Sequence, residues 1–167
     1  PGLSARIRAE CGQILNDLKT SELLHPQIAS CIHRHACRRS GNSDPFFALK
    51  AEGNRQALGV CRTKRPALVS FRDRVLASVI ANTFDYGVHE HNVEGDFAAF
   101  FDREFARGLT VDHTDRILSM AGRVVYLTDN CGEIVFDRLV VEFLKAQGSH
   151  ITLAVRDAPI LNDATLE

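Results

Sequence analysis

Apolar residues recur three or four positions apart at the start of the chain. Leu3, Ile7, Cys11, Ile14, Leu15 and Leu18 fall on one stripe, which predicts an amphipathic helix over residues 3–18. Further helix starts follow. His25-Pro26 opens a segment carrying Ile28 and Ile32, Asp44-Pro45 offers a cap with proline at the first helical position, and Pro66 opens a long apolar helix. That helix carries Leu68, Val69, Leu76, Val79, Ile80 and Phe84 and breaks near Gly87. The segment from Gly95 to Arg107 is aromatic-rich, with Phe97, Phe100, Phe101 and Phe105, and Asp112 is placed to cap a short helix ending at Gly122. Residues 1–122 therefore read as an all-helical N-terminal module.

The period changes at Arg123. Val124-Val125-Tyr126-Leu127-Thr128 is a short β-branched and aromatic run bounded by Asp-Asn and glycine, as expected of a buried strand. Glu133 to Gln147 returns to helical spacing with a wide apolar face, while Arg138, Glu142 and Lys145 keep one stripe in water. Gly148 ends it. Ile151-Thr152-Leu153-Ala154-Val155 is a second strand, so the strands of this strand-helix-strand unit should be parallel. The predicted fold class is α/β: a helical module over 1–122, then a Rossmann-like unit over 123–167 that, with only two strands and one helix, looks truncated.

Charge changes the picture by exclusion. The 167 residues hold 20 Lys+Arg against 21 Asp+Glu, a net charge of −1, which argues against a nucleic-acid or membrane-surface partner. The chain has no apolar run long enough to span a membrane and no secretory leader pattern at its start, so the expected location is cytoplasmic. Five cysteines, an odd number, are expected to be reduced thiols rather than a disulfide framework.

In open α/β sheets, ligands bind beyond the carboxyl ends of the strands. Both strands here run into polar loops, Asp129-Asn130-Cys131-Gly132-Glu133 after the first and Arg156-Asp157-Ala158-Pro159-Ile160-Leu161-Asn162-Asp163 after the second. Two parallel neighbouring strands would gather Asp129, Asn130, Asp157, Asn162 and Asp163 at one edge. These are hard oxygen donors, suited to Mg²⁺, Mn²⁺ or a similar cation rather than a thiolate-bound zinc. The same residue types are also common as turn and cap residues.

Longer motifs discriminate between those readings. Tyr126-Leu127-Thr128-Asp129-Asn130-Cys131-Gly132-Glu133-Ile134-Val135-Phe136-Asp137, followed by Val155-Arg156-Asp157-Ala158-Pro159-Ile160-Leu161-Asn162-Asp163-Ala164-Thr165, resembles the signature of the DUF89 family of damage-control phosphatases, also called ARMT1-like or AF1104-like. Gly41-Asn42-Ser43-Asp44-Pro45, Lys50 with Asn54, and Ala81-Asn82-Thr83-Phe84-Asp85-Tyr86-Gly87 are similar to that family's N-terminal motifs in the same order. The resemblance implies a metal-dependent phosphatase hydrolysing small phosphorylated metabolites, such as sugar phosphates or damaged cofactor precursors. It implies Asp129, Asn130 and Asp163 as ligands of a divalent ion (Mn, Co, Ni or Mg), with Asp129 and Asn130 at the catalytic centre; Glu133 beside them would either orient water there or simply favour the helix N-terminus. Asn82 and Asp85, with Ser78 one turn before them, would line the substrate cleft, and Arg156 would grip a phosphate or pair with Asp157 or another acid. Unpaired N–H groups at the helix start near Gly132-Glu133 would suit a phosphate anion.

Other constellations fail on geometry. In Cys31-x-His33-x-His35-x-Cys37, a helix sets Cys31 with His35 on one face and His33 with Cys37 on the opposite face, so four ligands cannot converge. His89-Glu90-His91 lacks the i, i+4 spacing of a zinc-binding helix. Cys131 sits where a helix N-terminus can activate a thiol, but packing is the expected role. Asp137 is expected to be structural. Two alternatives to a phosphatase are an S-adenosylmethionine-dependent carboxyl methyltransferase, an activity attached to one branch of the family, and an inactive fragment that binds a partner. The family continues beyond the point matching Glu167, with a Lys-Gly motif and a further acidic residue. Two strands and one helix cannot cover both faces of a parallel sheet, so the chain is expected to associate with a separate C-terminal segment or with itself.

Overall fold

The computed structural model describes residues 2–83 and 93–166. Helices α1 (Leu3–Leu18) and α2 (His25–Ser40) form an antiparallel hairpin tied by Glu10, which accepts hydrogen bonds from His35 (2.8 Å) and from the Arg39 guanidinium. Helix α3 (Phe47–Lys64) leads through a 3-10 turn at Arg65–Ala67 to α4 (Phe71–Ala81). Helices α5 (Val93–Arg107) and α6 (Thr114–Met120) complete the helical part, and β1 (Arg123–Leu127), α7 (Glu133–Ala146) and β2 (His150–Ala154) follow.

Two predicted helix starts move. Asp44-Pro45 precedes α3 rather than capping it directly, because the Asp44 carboxylate folds back in a turn that accepts from Phe46 N (3.1 Å) while its other oxygen pairs with Lys50. Pro66 opens only the 3-10 turn and leaves Leu68 and Val69 outside any α-helix. The helix waits for Ser70, whose hydroxyl accepts from Asp73 N while the Asp73 carboxylate accepts from Ser70 N, a reciprocal capping box that outcompetes the proline start. Phe84 and Gly87, the expected end of this helix, lie outside the described residues. Helix α6 starts at Thr114 with Asp112 accepting from both its N–H and its hydroxyl, one residue outside the expected capping position.

Strands β1 and β2 pair in parallel, Arg123 opposite His150 through Leu127 opposite Ala154. Tyr126 and Ile151 pack against Phe71, Val140 and Leu144, which places α4 and α7 on one face of the sheet. On the other face Val125 and Leu127 are 67% and 76% exposed. The main core is drawn from helices on both sides of the predicted module boundary: Ala57 and Cys61 of α3, Leu76, Ala77, Ile80 and Ala81 of α4, Phe97 and Phe101 of α5, and Phe136 and Leu139 of α7. The Phe101 and Phe136 rings stack at 5.6 Å. This packing seats the start of α7, and the loop before it, against α3 and α4.

Candidate active site

Strand β1 ends at Leu127, and Thr128 N still bonds Ala154 O (3.0 Å), so Asp129 is delivered at the carboxyl edge of the sheet. Its backbone carbonyl accepts from Ala164 N (2.7 Å), and Cys131 N donates to Asn162 O (2.8 Å). Asn130 and Asp163 thereby form an antiparallel β-bridge, and Arg156 bridges to Thr165. Directly opposed residues in such a pair project their side chains to the same side. The two loops that sequence spacing could only place near each other are thus stitched residue to residue.

The burial is graded. Asp129 is exposed, Asn130 is half-buried and Asp163 is buried. Arg156 Nε donates to Asp163 Oδ2 at 2.6 Å, so Asp163, rather than Asp157, is the acid that Arg156 takes. Among the described residues no cluster of three or more His, Cys, Asp or Glu side chains is gathered as a ready ligand set. The donor set fits a hard cation in chemistry, two carboxylates and an amide oxygen. Asn162, the residue before Asp163, is 7% exposed, and its Nδ2 has no acceptor among the described residues. As a buried donor it suits an anionic oxygen.

The helix start is less open to an anion than expected. Gly132, at φ +94°, is in a conformation that favours glycine and stands at the N-cap of α7. Its N–H donates to Asn54 Oδ1 (2.7 Å), Ile134 N to Asn130 O and Val135 N to Gly132 O. These backbone donors are already satisfied within the chain, so the expected cradle of unpaired N–H groups is not formed by them. The sequence could not show this, because the acceptor on Gly132 comes from α3, 78 residues earlier.

The polar stripe of α4 faces α7. Ser78 Oγ donates to Asp137 Oδ1 (2.5 Å), which also accepts from Tyr126 Oη (2.8 Å), and Asn82 Nδ2 donates to Glu133 Oε2 (2.8 Å). Glu133 Oε2 also accepts a long bond from Asn130 N (3.4 Å). Burial pushes the Glu133 and Asp137 carboxyls up from their ordinary values, opposed by these hydrogen bonds. Burial likewise raises the Tyr126 hydroxyl. Asp85 lies outside the described residues, as do His89, Glu90 and His91.

Beneath the loop is a cluster that sequence reasoning did not assign to the site. Lys50 is 8% exposed and its Nζ lies 2.5 Å from Asp44 Oδ2. Lys50, Asp44 and Asp163 are all close enough to act electrostatically on Cys131 and on His33. Desolvation lowers the His33 pKa and raises that of Cys131, whose buried thiol is held as a neutral group rather than a nucleophile. His33 Nε2 contacts Cys37 Sγ (3.4 Å) on this side of α2, while His35 turns to Glu10 on the other, as the helical spacing required. The available signal was Lys50 itself, which shares a helical stripe with the buried Ala57 and Cys61.

Residues 3–167 match the family model for the damage-control phosphatase ARMT1-like domain. The chain belongs to this family. A damage-control phosphatase of Archaeoglobus fulgidus is 37% identical over 161 residues, covering 93% of this chain and 56% of that protein. A second, from Pyrococcus horikoshii, is 28% identical over 148 residues, covering 85% of this chain and 51% of its own length. A crystal structure of a DUF89 family protein from P. horikoshii superposes with a TM-score of 0.84 at 23% identity, covering 98% of this chain and 58% of that one. The fold is thus that of the DUF89 family, and the chain spans about half the length of the curated relatives it matches.

Proposed function

We propose that this DUF89-family chain contributes the cation-binding edge of a phosphatase that hydrolyses small phosphorylated metabolites. The observation that carries the reading is the Asn130–Asp163 bridge, which fastens the two oxygen-donor loops together at the carboxyl end of a parallel sheet. Asp129, Asn130 and Asp163 would hold a divalent ion, Mn²⁺, Co²⁺, Ni²⁺ or Mg²⁺, and such an ion acts as a Lewis acid on a phosphoryl oxygen. The chain's own residues divide the remaining work. Arg156 fixes Asp163 through Nε, and its side chain, 55% exposed, carries further guanidinium donors that suit a phosphate. The orphan Nδ2 of Asn162 adds a donor at the same edge. Glu133, half-buried and held by Asn82, retains its proton to higher pH than an ordinary glutamate, which suits a group that orders water or exchanges a proton beside the loop. The relatives named as damage-control phosphatases support the substrate class.

The test is phosphate release from a panel of sugar phosphates and other small phosphomonoesters with each cation in turn. Release from at least one monoester is expected. Activity confined to S-adenosylmethionine-dependent methyl transfer, with no phosphate released from any member, would overturn the proposal.

A further inference from the structure

The oxygen-donor loop is held from two sides by different parts of the chain. On the sheet side, its backbone bonds to Asn162 and Ala164 run within the α/β unit. On the helical side, the direct holds from α3 and α4 are two amide side chains, Asn54 on Gly132 and Asn82 on Glu133. The first differs from the second in burial and consequence. Gly132 is a buried residue at positive φ, so losing its acceptor leaves a buried N–H without its direct partner. The Asn82 bond is solvent-exposed and replaceable by water.

We infer that Asn54 is a positioning residue for the cation site: its carbonyl fixes the peptide of Gly132 and thereby the aim of Asp129 and Asn130. Three features make the hold specific. The donor is a backbone N–H, so Asn54 must present Oδ1 to it, and this orients the whole amide. Asn54 also lies close enough to the Cys131 thiol to act on it, so it stands against two consecutive loop residues. It stands one helical turn after Lys50, whose buried pair with Asp44 anchors the start of α3. Removing the Asn54 acceptor releases the direct hold on the Gly132 peptide, and the two candidate ligands lie two and three residues upstream in the same loop.

This inference rests on the proposed cation site, and the test separates the two. Co²⁺ is titrated into the wild-type chain and variants by calorimetry, with folding checked by circular dichroism. Asn54→Ala is expected to weaken Co²⁺ binding about 10–100-fold, the range seen when an outer partner of a metal ligand is removed. Asn54→Asp, which keeps the acceptor, is expected to restore binding. Val140→Ala, a core change away from the loop, provides a destabilised control and is expected to bind as wild type does. If Asn54→Ala does not fold, Asn54→Ser, too short to reach the Gly132 N–H, is expected to show the same loss. A wild-type chain that binds no Co²⁺ would sink the cation site and this inference with it. Binding in wild type that Asn54→Ala or Asn54→Ser leaves unchanged, or that Asn54→Asp weakens as much as Asn54→Ala does, would overturn the role of Asn54 alone.

Discussion

Replacing Phe136 with alanine would remove the side chain that joins α7 to the helical core. Phe136 is fully buried and stacks on Phe101 of α5 at 5.6 Å, in a cluster that also includes Leu76 and Ile80 of α4 and Ala57 of α3. A fully buried Phe→Ala change costs about 3–5 kcal/mol, since four different helices supply the walls and cannot all collapse into the space. Against a typical total of about 5–15 kcal/mol that is a large fraction. At roughly 2–4 °C per kcal/mol for a chain of this size, Tm should fall by about 6–20 °C. Urea denaturation followed by circular dichroism measures the change, with Phe136→Leu as an intermediate case. A loss below about 1 kcal/mol would refute the reasoning, because a side chain so cheaply removed would not be the shared anchor of a common core.

The other predictions concern charge, the thiol and the open sheet face. Burial raises the Asp137 pKa, so its favourable contribution is complete below the ordinary carboxylate value near 3.8 and is lost as pH rises through the raised folded value. The stability of the wild type relative to Asp137→Asn should therefore fall with rising pH across that window, and a difference that is flat with pH would count against it. Cys131→Ala should leave phosphate release intact, because the thiol is buried and held neutral; complete loss of activity in a folded variant would reinstate a nucleophilic cysteine. Val125 and Leu127 expose a sheet face that should drive concentration-dependent association of this chain, measurable by sedimentation velocity. Val125→Lys with Leu127→Lys should abolish it, and unchanged association in the double variant would place the contact elsewhere.

Much of the architecture was legible in the sequence because its determinants are local. The stripe from Leu3 to Leu18, the strand after Arg123 and the glycine at 148 each act within one turn or one strand, and α1, β1 and α7 follow them within a residue or so. The starts of α3 and α4 depart from the expected positions where local signals compete; at α4, Pro66 suggests a helix, but the reciprocal bonds of Ser70 and Asp73 satisfy more of the helix's open donors. The oxygen-donor loops were visible as motifs, and the parallel strands explain why they share an edge. What periodicity could not reach were the contacts between distant segments, Asn54 to Gly132, Ser78 to Asp137 and Arg156 to Asp163, because partner choice there depends on how helices pack. Lys50 shows the same limit. It stands in a recognisable motif with Asn54, but its burial depends on Asp44 folding back to meet it.

The central claim, that the loops ending β1 and β2 bind a cation used to release phosphate, is tested most directly by comparing the wild type with Asp129→Ala and Asp163→Ala on one hydrolysed phosphomonoester. Each is assayed with Mn²⁺ and after chelation. The account predicts release by the wild type with Mn²⁺, loss on chelation, and loss in both variants at every Mn²⁺ concentration. Equal release by Asp129→Ala and the wild type, or release that survives chelation undiminished, would contradict it.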